Sequence, residues 1–388
     1  MDFDLSESHK LIRDTARRLA REVVQPRAAA IDETATYPED VFQAFKEVGL
    51  IGTAIPEEYG GSGAGMLGLT VAIEEIAKHC AASSLILMLT MLATRPILIG
   101  GTEAQKQKWV VPVARGDLKA SFCLTEPEVG SDAANMRTYA VRDGDQYVLN
   151  GEKIYISGGS VADYCTVFAK TDREAGSRGI SAFIVPTDTP GFTVTRTDRK
   201  MGVNGVPTAH FAIQDARVPV ENLVGGVEGK GFNHAMLGLN GSRPLVGARG
   251  LGLAEGALAY ALEYARQRQT FGKPITEHQA IQFMFADMAL AIETSRLAVY
   301  HAAWLVDQGK FAREDAMYLS VAKTVASEAA VKVASDAIQV LGAQGYMKDH
   351  PLERHYRDAR QLMIVEGTSQ IQRLIISRAL ITGEVDYS

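Results

Sequence analysis

Residues 146–157 read QYVLNGEKIYIS, where apolar and polar side chains alternate most clearly. Such alternation is typical of β-strands, and Asn150-Gly151 favours a type I′ turn because both residues tolerate positive φ. The stretch therefore predicts a β-hairpin that turns at Asn150-Gly151. Because no helix-length segment separates the predicted strands of this region, a doubly wound parallel sheet is excluded. Further strands are predicted at residues 165–169, 180–185, 192–195 and 210–213.

On both sides of this β region, apolar residues recur at helical spacing. They do so from residue 6 to about residue 116, and again from Gly231 to the end, where short Gly-Lys connections are typical of an antiparallel bundle. The expected fold class is α+β: an N-terminal α-helical domain (1–118), a middle antiparallel, β-barrel-like domain (119–230) and a C-terminal four-helix-bundle domain (231–388). Two apolar stripes of the bundle are Ile281, Phe285, Met288 and Ile292, and Val321, Val325, Ala329 and Val333.

The most hydrophobic segment, residues 83–99, contains Pro96. Its length favours a buried helix over a membrane span, and proline removes a helical hydrogen bond. We therefore expect a kink or break near Arg95.

The overall composition is that of a globular enzyme. The 388 residues are 46% hydrophobic and 22% charged, with a net charge of −6, which argues against nucleic acid as a partner. Three cysteines without C-x-x-C spacing suggest neither a disulfide framework nor a metal site. The N-terminus is charged from its start, so a cytoplasmic location is expected, or the mitochondrial matrix if the chain is a processed organelle protein.

Two segments of the β region combine hydroxyl groups with flexible backbone. Thr125 and Ser131, with Gly130 between them, lie in Phe122–Asp132, and Tyr155 and Ser157 lie two apart in the predicted hairpin. Residues two apart share one face of a strand, so each segment can contact a polar ring or a phosphate. The alternative is an ordinary turn and an ordinary surface pair.

Two helix ends carry polar groups suited to a phosphate. Arg266 and Arg268 precede a predicted break at Gly272, and arginine binds pyrophosphate through paired hydrogen bonds. Cations also favour helix C-termini, and residues 339–345 can be a helix end with glycine caps, so structural roles explain both segments.

Glu366 stands in the sequence IVEGTSQ, residues 364–370, between an apolar run and a new helix. Desolvation raises the pKa of such a carboxyl and helix N-terminal amides lower it, which suits proton abstraction. The alternative is an ordinary acidic residue of a first helical turn.

Together, in this order, these segments resemble the acyl-CoA dehydrogenase family of flavoproteins over nearly the whole chain, with the closest motif match to short- and branched-chain members. The matching motifs are Pro56-Glu-Glu-Tyr-Gly-Gly61, Leu124-Thr-Glu-Pro…Gly130-Ser-Asp132, Asn150-Gly-x-Lys…Ile156-Ser157, Leu239-Asn-Gly-Ser-Arg243, Arg268-x-Thr-Phe-Gly272, His278-Gln279, Gln339-x-Leu-Gly342 and Glu366-Gly-Thr-x-Gln-Ile371.

The resemblance implies a homotetramer that binds FAD between domains and across a subunit contact. Near the CoA thioester it places Ser131, Arg243 and Gly367. Residues implied in FAD binding are Phe122, Leu124, Thr125, Gly130, Ser131, Tyr155, Ile156, Ser157, Thr368 and Gln370 within the subunit, and Arg268, Gln269, Thr270, Gln279, Gln339, Val340, Leu341 and Gly342 at the subunit contact.

The implied reaction is α,β-dehydrogenation of a short or branched acyl-CoA to the trans-2-enoyl-CoA. Glu366 is the implied base for the α-proton, and a hydride leaves the β-carbon for flavin N5. One branch of the family carries its base one residue before the arginine of the Arg243 motif, where this chain has Ser242, which cannot serve. Arg95 is expected to extend to solvent; the alternative is that it points at a polar acyl tail.

Departures from the family pattern concern the flavin face and the acyl pocket. Tyr155 replaces a frequent tryptophan, Glu128-Val129 replaces Gly-Ala, Ala343 replaces a usual glycine and Val365 stands where the medium-chain type has tyrosine.

Electron-transfer flavoprotein is the implied electron acceptor. Open alternatives are an acyl-CoA oxidase, a dehydrogenase of carrier-bound acyl groups in secondary metabolism and, more remotely, a DNA-associated flavoprotein of the same fold. The interspersed acidic residues around Arg354–Arg360 argue against the last.

Overall fold

The computed structural model describes residues 4–385, so residues 1–3 and 386–388 of the predicted first and third domains lie outside the described part. The first third is helical, as predicted, and the Ser6 hydroxyl caps its first helix by accepting from the His9 N–H at 3.2 Å. Its helices are α1 Glu7–Leu19, α2 Gln25–Thr34, α3 Glu39–Glu47, α4 Gly65–Ala77, α5 Ala81–Gly100, α6 Glu103–Gln105 and α7 Val111–Ala114, with π-helical turns at Ala20–Val24 and Lys106–Val110.

Helix α5 passes through Pro96 without ending, so of the predicted kink or break near Arg95 the break is wrong, while the kink stays a prediction. The hydrogen bond lost at the proline is a small part of a helix that is buried over almost its whole length, and surrounding packing holds it together. Its length and apolar composition alone would allow it to cross a membrane, but most of it is buried within the fold.

The middle region forms one seven-stranded sheet in the order β1-β4-β2-β3-β7-β6, with β5 paired to β4. The sheet is mixed, because β1 and β2 run parallel to β4 while the remaining pairs are antiparallel. The prediction of an antiparallel sheet is wrong for these two pairs, since the chain between β1 and β4 is long enough for a crossover. The strands are β1 Ala120–Cys123, β2 Tyr139–Asp143, β3 Gln146–Ser157, β4 Tyr164–Lys170, β5 Ile180–Pro186, β6 Phe192–Thr197 and β7 Thr208–Pro219.

The turn predicted at Asn150-Gly151 is wrong, because both residues lie inside β3. The hairpin instead turns at Gly144, where φ is +62°, and joins β2 to β3. Asn150 and Gly151 form a bulge against β7, where the Asn150 amide binds Asp215 at 2.9 and 3.1 Å. A Cβ on Gly151 would lie 2.4 Å from the Thr138 hydroxyl, so glycine is needed there for close approach.

The last third is helical again, and Gly309, with φ +74°, follows the end of α9 as expected. Met288 and Ile292 are buried as predicted. In the second predicted stripe Val333 is buried, and Val321 and Ala329 are partly buried, but Val325 is exposed, so the stripe is wrong at that residue. Many of the buried residues of α10 are alanines, whose small side chains allow the neighbouring α8 to come close. The elements are α8 Gly231–Gln267, the short strands β8 Gln269–Thr270 and β9 Lys273–Pro274, α9 Gln279–Asp307, α10 Ala316–Leu341, α11 Leu352–Leu362 and α12 Ser369–Ile381.

The largest hydrophobic core is shared by the two helical regions. It joins residues of α1–α5 to residues of α8–α11 and also includes side chains of β1, β4 and β5, while other side chains of the sheet form a second core. The α11–α12 connection, which carries Glu366, follows directly on this shared core. The site is therefore held by packing between sequence segments more than a hundred residues apart.

Candidate active site

Glu366 lies in the short connection between α11 and α12 with left-handed backbone, φ +52°. This conformation is uncommon for a residue with a Cβ and persists where the surroundings impose it. Gly367 follows with φ +90°, and the Thr368 hydroxyl caps α12 by accepting from the Ile371 N–H at 3.2 Å. The predicted helix start after Glu366 is thus confirmed, and the side chain contacts Ser242 on α8.

The Glu366 carboxylate accepts a hydrogen bond from the Ser242 hydroxyl on α8. Three cations, Lys323, Arg249 and Arg243, lie close enough to lower its pKa. Burial has the larger effect, so the pKa of this carboxyl is raised above its usual value. A carboxylate in such surroundings is a stronger base than one in water, as proton abstraction from carbon requires.

The backbone around Glu366 is held by two buried side chains. Lys323 Nζ on α10 donates to the Gly367 carbonyl at 2.8 Å, and Gln372 Nε2 donates to the carbonyls of Glu366 and Gly367, each at 3.1 Å. A Cβ on Gly367 would lie 2.7 Å from Gln372 Nε2, so the glycine permits this contact. Among the described residues the Glu366 N–H has no hydrogen-bond acceptor, which leaves a donor free beside the carboxylate.

Sequence reasoning missed the roles of Ser242, Arg249 and Lys323 in this site. The sequence motif shows only that Ser242 cannot replace the base, whereas the structure shows that its hydroxyl donates a hydrogen bond to the Glu366 carboxylate. Lys323 and Arg249 are fully buried charged residues inside long helices. A charge on an otherwise small-residue, buried helix face is the signal that would have identified Lys323.

Arg243 and Ser131, two predicted substrate residues, differ in their surroundings. Arg243 is buried, and its Nε and Nη1 atoms have no hydrogen-bond partner among the described residues. Burial lowers the pKa of its guanidinium to about 10, against the attraction of Glu366. The unpartnered N–H groups of Arg243 are suited to a polar ligand group that approaches Glu366. Ser131, in contrast, is exposed, as is its neighbour Gly130.

The structure brings the two predicted flavin segments together. The Ile154 N–H donates to the Thr125 carbonyl at 2.9 Å, and the Ser121 hydroxyl donates to the Ser157 carbonyl at 3.0 Å. Tyr155 has left-handed backbone, φ +58°, and a side chain 61% exposed, whereas Ile156 is buried in the sheet core. Tyr155 thus offers an accessible aromatic ring on the surface of the sheet, beside the ring of His210. Phe122, Leu124, Thr125 and Ser157 are partly buried around this junction.

The third group of predicted FAD residues lies at an end of the helical bundle. The side chains of Arg268, Gln269 and Gln279 are exposed, and Phe271, with φ +52°, is 94% exposed. Within the described residues the Arg268 guanidinium has no hydrogen-bond or ion-pair partner, and none of this group is bonded to Glu366. An unpaired guanidinium, free amides and an open aromatic ring fit the pyrophosphate and rings of a dinucleotide. Thr270 is partly buried, and Gln339, Val340, Leu341 and Gly342 form the C-terminal end of α10, where Gly342 has φ +61°.

Arg95 does not extend to solvent, so that prediction is wrong. Its side chain is only 6% exposed, lies 4.6 Å from the centre of the Phe311 ring and packs against the backbone of Gly241. Burial lowers the pKa of its guanidinium to about 10, opposed by Asp307. The tight space on α8 left by Gly241 accommodates the guanidinium inside the fold. The alternative, contact with a polar acyl tail, stays a prediction.

Glu128, which adds a charge to the glycine-rich signature, is paired with Arg137 at 2.6 Å on the surface. Both side chains of the pair are exposed, so the Glu128 carboxylate takes part in a surface ion pair.

Comparison with known proteins identifies the family of the whole chain. Three family profiles match: the N-terminal domain of acyl-CoA dehydrogenases at residues 6–117, their middle domain at 121–216 and their C-terminal domain at 229–381. An acyl-CoA dehydrogenase of Bacillus subtilis is 44% identical over 380 residues, which cover 98% of this chain and 99% of that protein.

Solved structures give the same result. Butyryl-CoA dehydrogenase from Megasphaera elsdenii superposes with a TM-score of 0.95 at 40% identity, covering 98% of this chain and 100% of the other. A chain from the structural study of the electron transferring flavoprotein of Acidaminococcus fermentans has a TM-score of 0.95 at 42% identity, with the same coverage. The chain therefore belongs to the acyl-CoA dehydrogenase family, whose members are FAD-dependent oxidoreductases acting on CH–CH groups.

Proposed function

We propose that this protein catalyses the α,β-dehydrogenation of a short or branched acyl-CoA to the trans-2-enoyl-CoA, with Glu366 as the base. The observation that carries the proposal is the partly buried Glu366 carboxylate, which accepts a hydrogen bond from Ser242 and is close enough to three cations to feel their charge. The similarity to a butyryl-CoA dehydrogenase supports a short acyl group. Bound FAD supplies the hydride acceptor, flavin N5.

In this mechanism Glu366 removes the proton from the α-carbon, and the β-carbon loses a hydride. The negative charge that develops on the thioester oxygen needs hydrogen-bond donors, and the free N–H of Glu366 is one. Arg243, with unpartnered Nε and Nη1 atoms, adds positive charge on the same side. Closure of the site over the acyl chain excludes water, which strengthens each of these interactions.

The residues that would hold FAD fall into two groups within one chain. The first group consists of Phe122–Ser131 and Tyr155–Ser157, whose segments contact each other, with Thr368 and Gln370, which follow Glu366 in sequence. The second group, Arg268, Gln279 and Gln339–Gly342, lies at the bundle end. We propose that the second group completes the FAD site of another subunit, in a homotetramer. Oligomerisation would then be a condition for cofactor retention.

Helix α9 provides a surface for such a subunit contact. Phe283, Leu290, Leu297 and Trp304 recur every seventh residue and are between 46% and 64% exposed. A seven-residue repeat places side chains along one side of a helix, and exposed apolar stripes of this length mark protein contacts. The stripe lies on the helix that begins at Gln279, so the same contact would bring the bundle-end FAD residues to a second copy.

Electron-transfer flavoprotein is the proposed electron acceptor, supported by the similarity to a chain from a study of such a protein. A cytoplasmic location, and CoA rather than a carrier protein as the acyl carrier, belong to the same proposal.

Anaerobic titration of the purified protein tests the proposed function. The visible spectrum is recorded while butyryl-CoA, isobutyryl-CoA, isovaleryl-CoA, octanoyl-CoA and glutaryl-CoA are added separately. Bleaching of the flavin band by a short or branched substrate is the expected result. A preference for glutaryl-CoA would favour contact of Arg95 with a polar acyl tail. Bound flavin that none of the acyl-CoAs reduces would contradict the substrate assignment and favour a carrier-bound acyl group.

A further inference from the structure

Lys323 is a fully buried lysine in the N-terminal half of α10, where most of its buried neighbours on the helix are small or apolar. Burying an ammonium group is costly unless it is paired or hydrogen-bonded, so such residues have a specific partner. The partner here is the carbonyl oxygen of Gly367, at 2.8 Å from Nζ. Its position directly after Glu366 links Lys323 to the base.

The Glu366-Gly367 backbone has positive φ at two successive residues. Glu366 has φ +52° and Gly367 has φ +90°, and no helix or strand holds either residue. A left-handed glutamate needs external contacts to keep its conformation. Among the described contacts these are Lys323 and Gln372, which meet at the Gly367 carbonyl oxygen.

The two contacts are not equivalent, because only Lys323 carries a charge. Gln372 is neutral, and its Oε1 atom has no partner among the described residues. The ionisable groups that act on Lys323 are Glu366 and Glu328, which favour its charged form, and Arg243, which disfavours it. Burial lowers the pKa of Lys323 to about 8, so the ammonium form still dominates at pH 7.

We propose that Lys323 is a positioning residue for the catalytic base: its ammonium group holds the Gly367 carbonyl, keeps Glu366 in the left-handed conformation and supplies a positive charge that keeps the base ionised. The proposal rests on the proposed function, since it assigns a role in the same reaction. It gives the buried lysine two separable effects, one geometric and one electrostatic.

The test compares Lys323→Met, which removes the charge and the donor, with Lys323→Arg, which keeps the charge. Lys332→Met is the matched control, because Lys332 lies on the same helix but is exposed and pairs with Asp336 at 2.6 Å. The rate of flavin reduction by butyryl-CoA is measured by stopped-flow from pH 5.5 to 9, together with FAD content and thermal stability.

We expect Lys323→Met to slow flavin reduction at pH 7 by about tenfold and to move the acid limb of the pH profile upward by about one pH unit. The direction follows because removing a cation disfavours the ionised carboxylate. Lys323→Arg is expected to return the pH profile toward wild type, and Lys332→Met to leave rate and profile unchanged. A Lys323→Met enzyme with wild-type rate and pH profile would overturn the proposal.

A crystal structure of Lys323→Met gives a second result that does not depend on activity. The expected change is displacement of the Gly367 carbonyl and loss of the left-handed conformation at Glu366. An unchanged connection, together with a slower enzyme whose pH profile is also unshifted, would reduce Lys323 to a packing role and overturn the proposal. If wild-type protein is reduced by no acyl-CoA, the proposed function fails instead, while the structural comparison still tests the positioning.

Discussion

The surroundings of Glu366 and the bundle end around Arg268 differ in burial and in whether their polar groups have partners within the chain. Glu366 lies among buried groups from α8, α10 and α12, and its carbonyl oxygen and carboxylate already have partners, while its N–H is free for a ligand. Arg268 and Phe271 are exposed, and the Arg268 guanidinium has no partner among the described residues. In the proposed function, the Glu366 region is a proton-abstraction site whose groups are already placed within one chain. The exposed region around Arg268 is, in the same proposal, the part of the cofactor site that a ligand and a second copy would complete.

The largest expected effect is on the proton-abstraction site. Glu366→Gln keeps the shape of the side chain and removes its basicity, so flavin reduction by acyl-CoA should fall by about a thousandfold or more. The FAD content and oligomeric state should not change, because the substitution lies outside the exposed region. They are measured by absorbance and analytical ultracentrifugation. A variant that retains most of its activity would show that another group removes the proton.

The next effect concerns the exposed stripe on α9. Replacing Leu290 and Leu297 together by glutamate puts charges into the proposed subunit contact, so the protein should sediment as smaller species and lose most of its FAD. Leu11→Glu, at a residue 68% exposed on α1, is the control and should change neither property. Intact tetramers with full flavin in the double variant would refute the proposed contact.

A smaller effect is expected for a single cofactor contact. Arg268→Ala removes a guanidinium assigned to the FAD pyrophosphate, so the dissociation constant for FAD should rise by about tenfold. Arg266→Ala serves as the control, because Arg266 is similarly exposed but is paired with Glu263 at 3.6 Å. Equal flavin retention in both variants would count against the assigned role of Arg268.

The smallest effect is a shift in pH dependence. The Ser242 hydroxyl lowers the pKa of the Glu366 carboxyl, so Ser242→Ala should raise that pKa further. Glu366 acts in its ionised form. With a higher pKa it becomes protonated sooner as the pH is lowered, so the rate of flavin reduction should begin to fall at a higher pH than in wild type. The acid limb of flavin reduction should move upward by less than about one pH unit. A shift in the opposite direction would mean that Ser242 stabilises the protonated base.

The helix, strand, helix order and the helix start after Glu366 were predictable because they depend on local patterns. The Asn150-Gly151 turn failed because tertiary pairing with β7 overrode a local turn preference and turned the pair into a bulge. The stripe predicted through Val325 was wrong at that residue for a related reason. Many buried residues of α10 are alanines, which are less hydrophobic than valine, so the sequence pattern favoured the exposed Val325 over them.

The sequence could point to a candidate site residue only where that residue belongs to a recognisable motif. Glu366, Arg243 and Arg268 came from sequence motifs, whereas Lys323 and Arg249 act across distances of more than forty residues in sequence. No local pattern records that a lysine on α10 meets the carbonyl after the base. Arg95 illustrates the same limit, since its burial depends on Gly241 and Phe311 from other elements.

Exchange of the α-proton tests the central claim most directly, because it separates proton abstraction from hydride loss. Wild type and Glu366→Gln, each with bound FAD, are incubated anaerobically with butyryl-CoA in D₂O, and deuterium at the α-carbon is measured by mass spectrometry. Wild type should incorporate deuterium and Glu366→Gln should not. Equal incorporation by both proteins would contradict the assignment of Glu366 as the base.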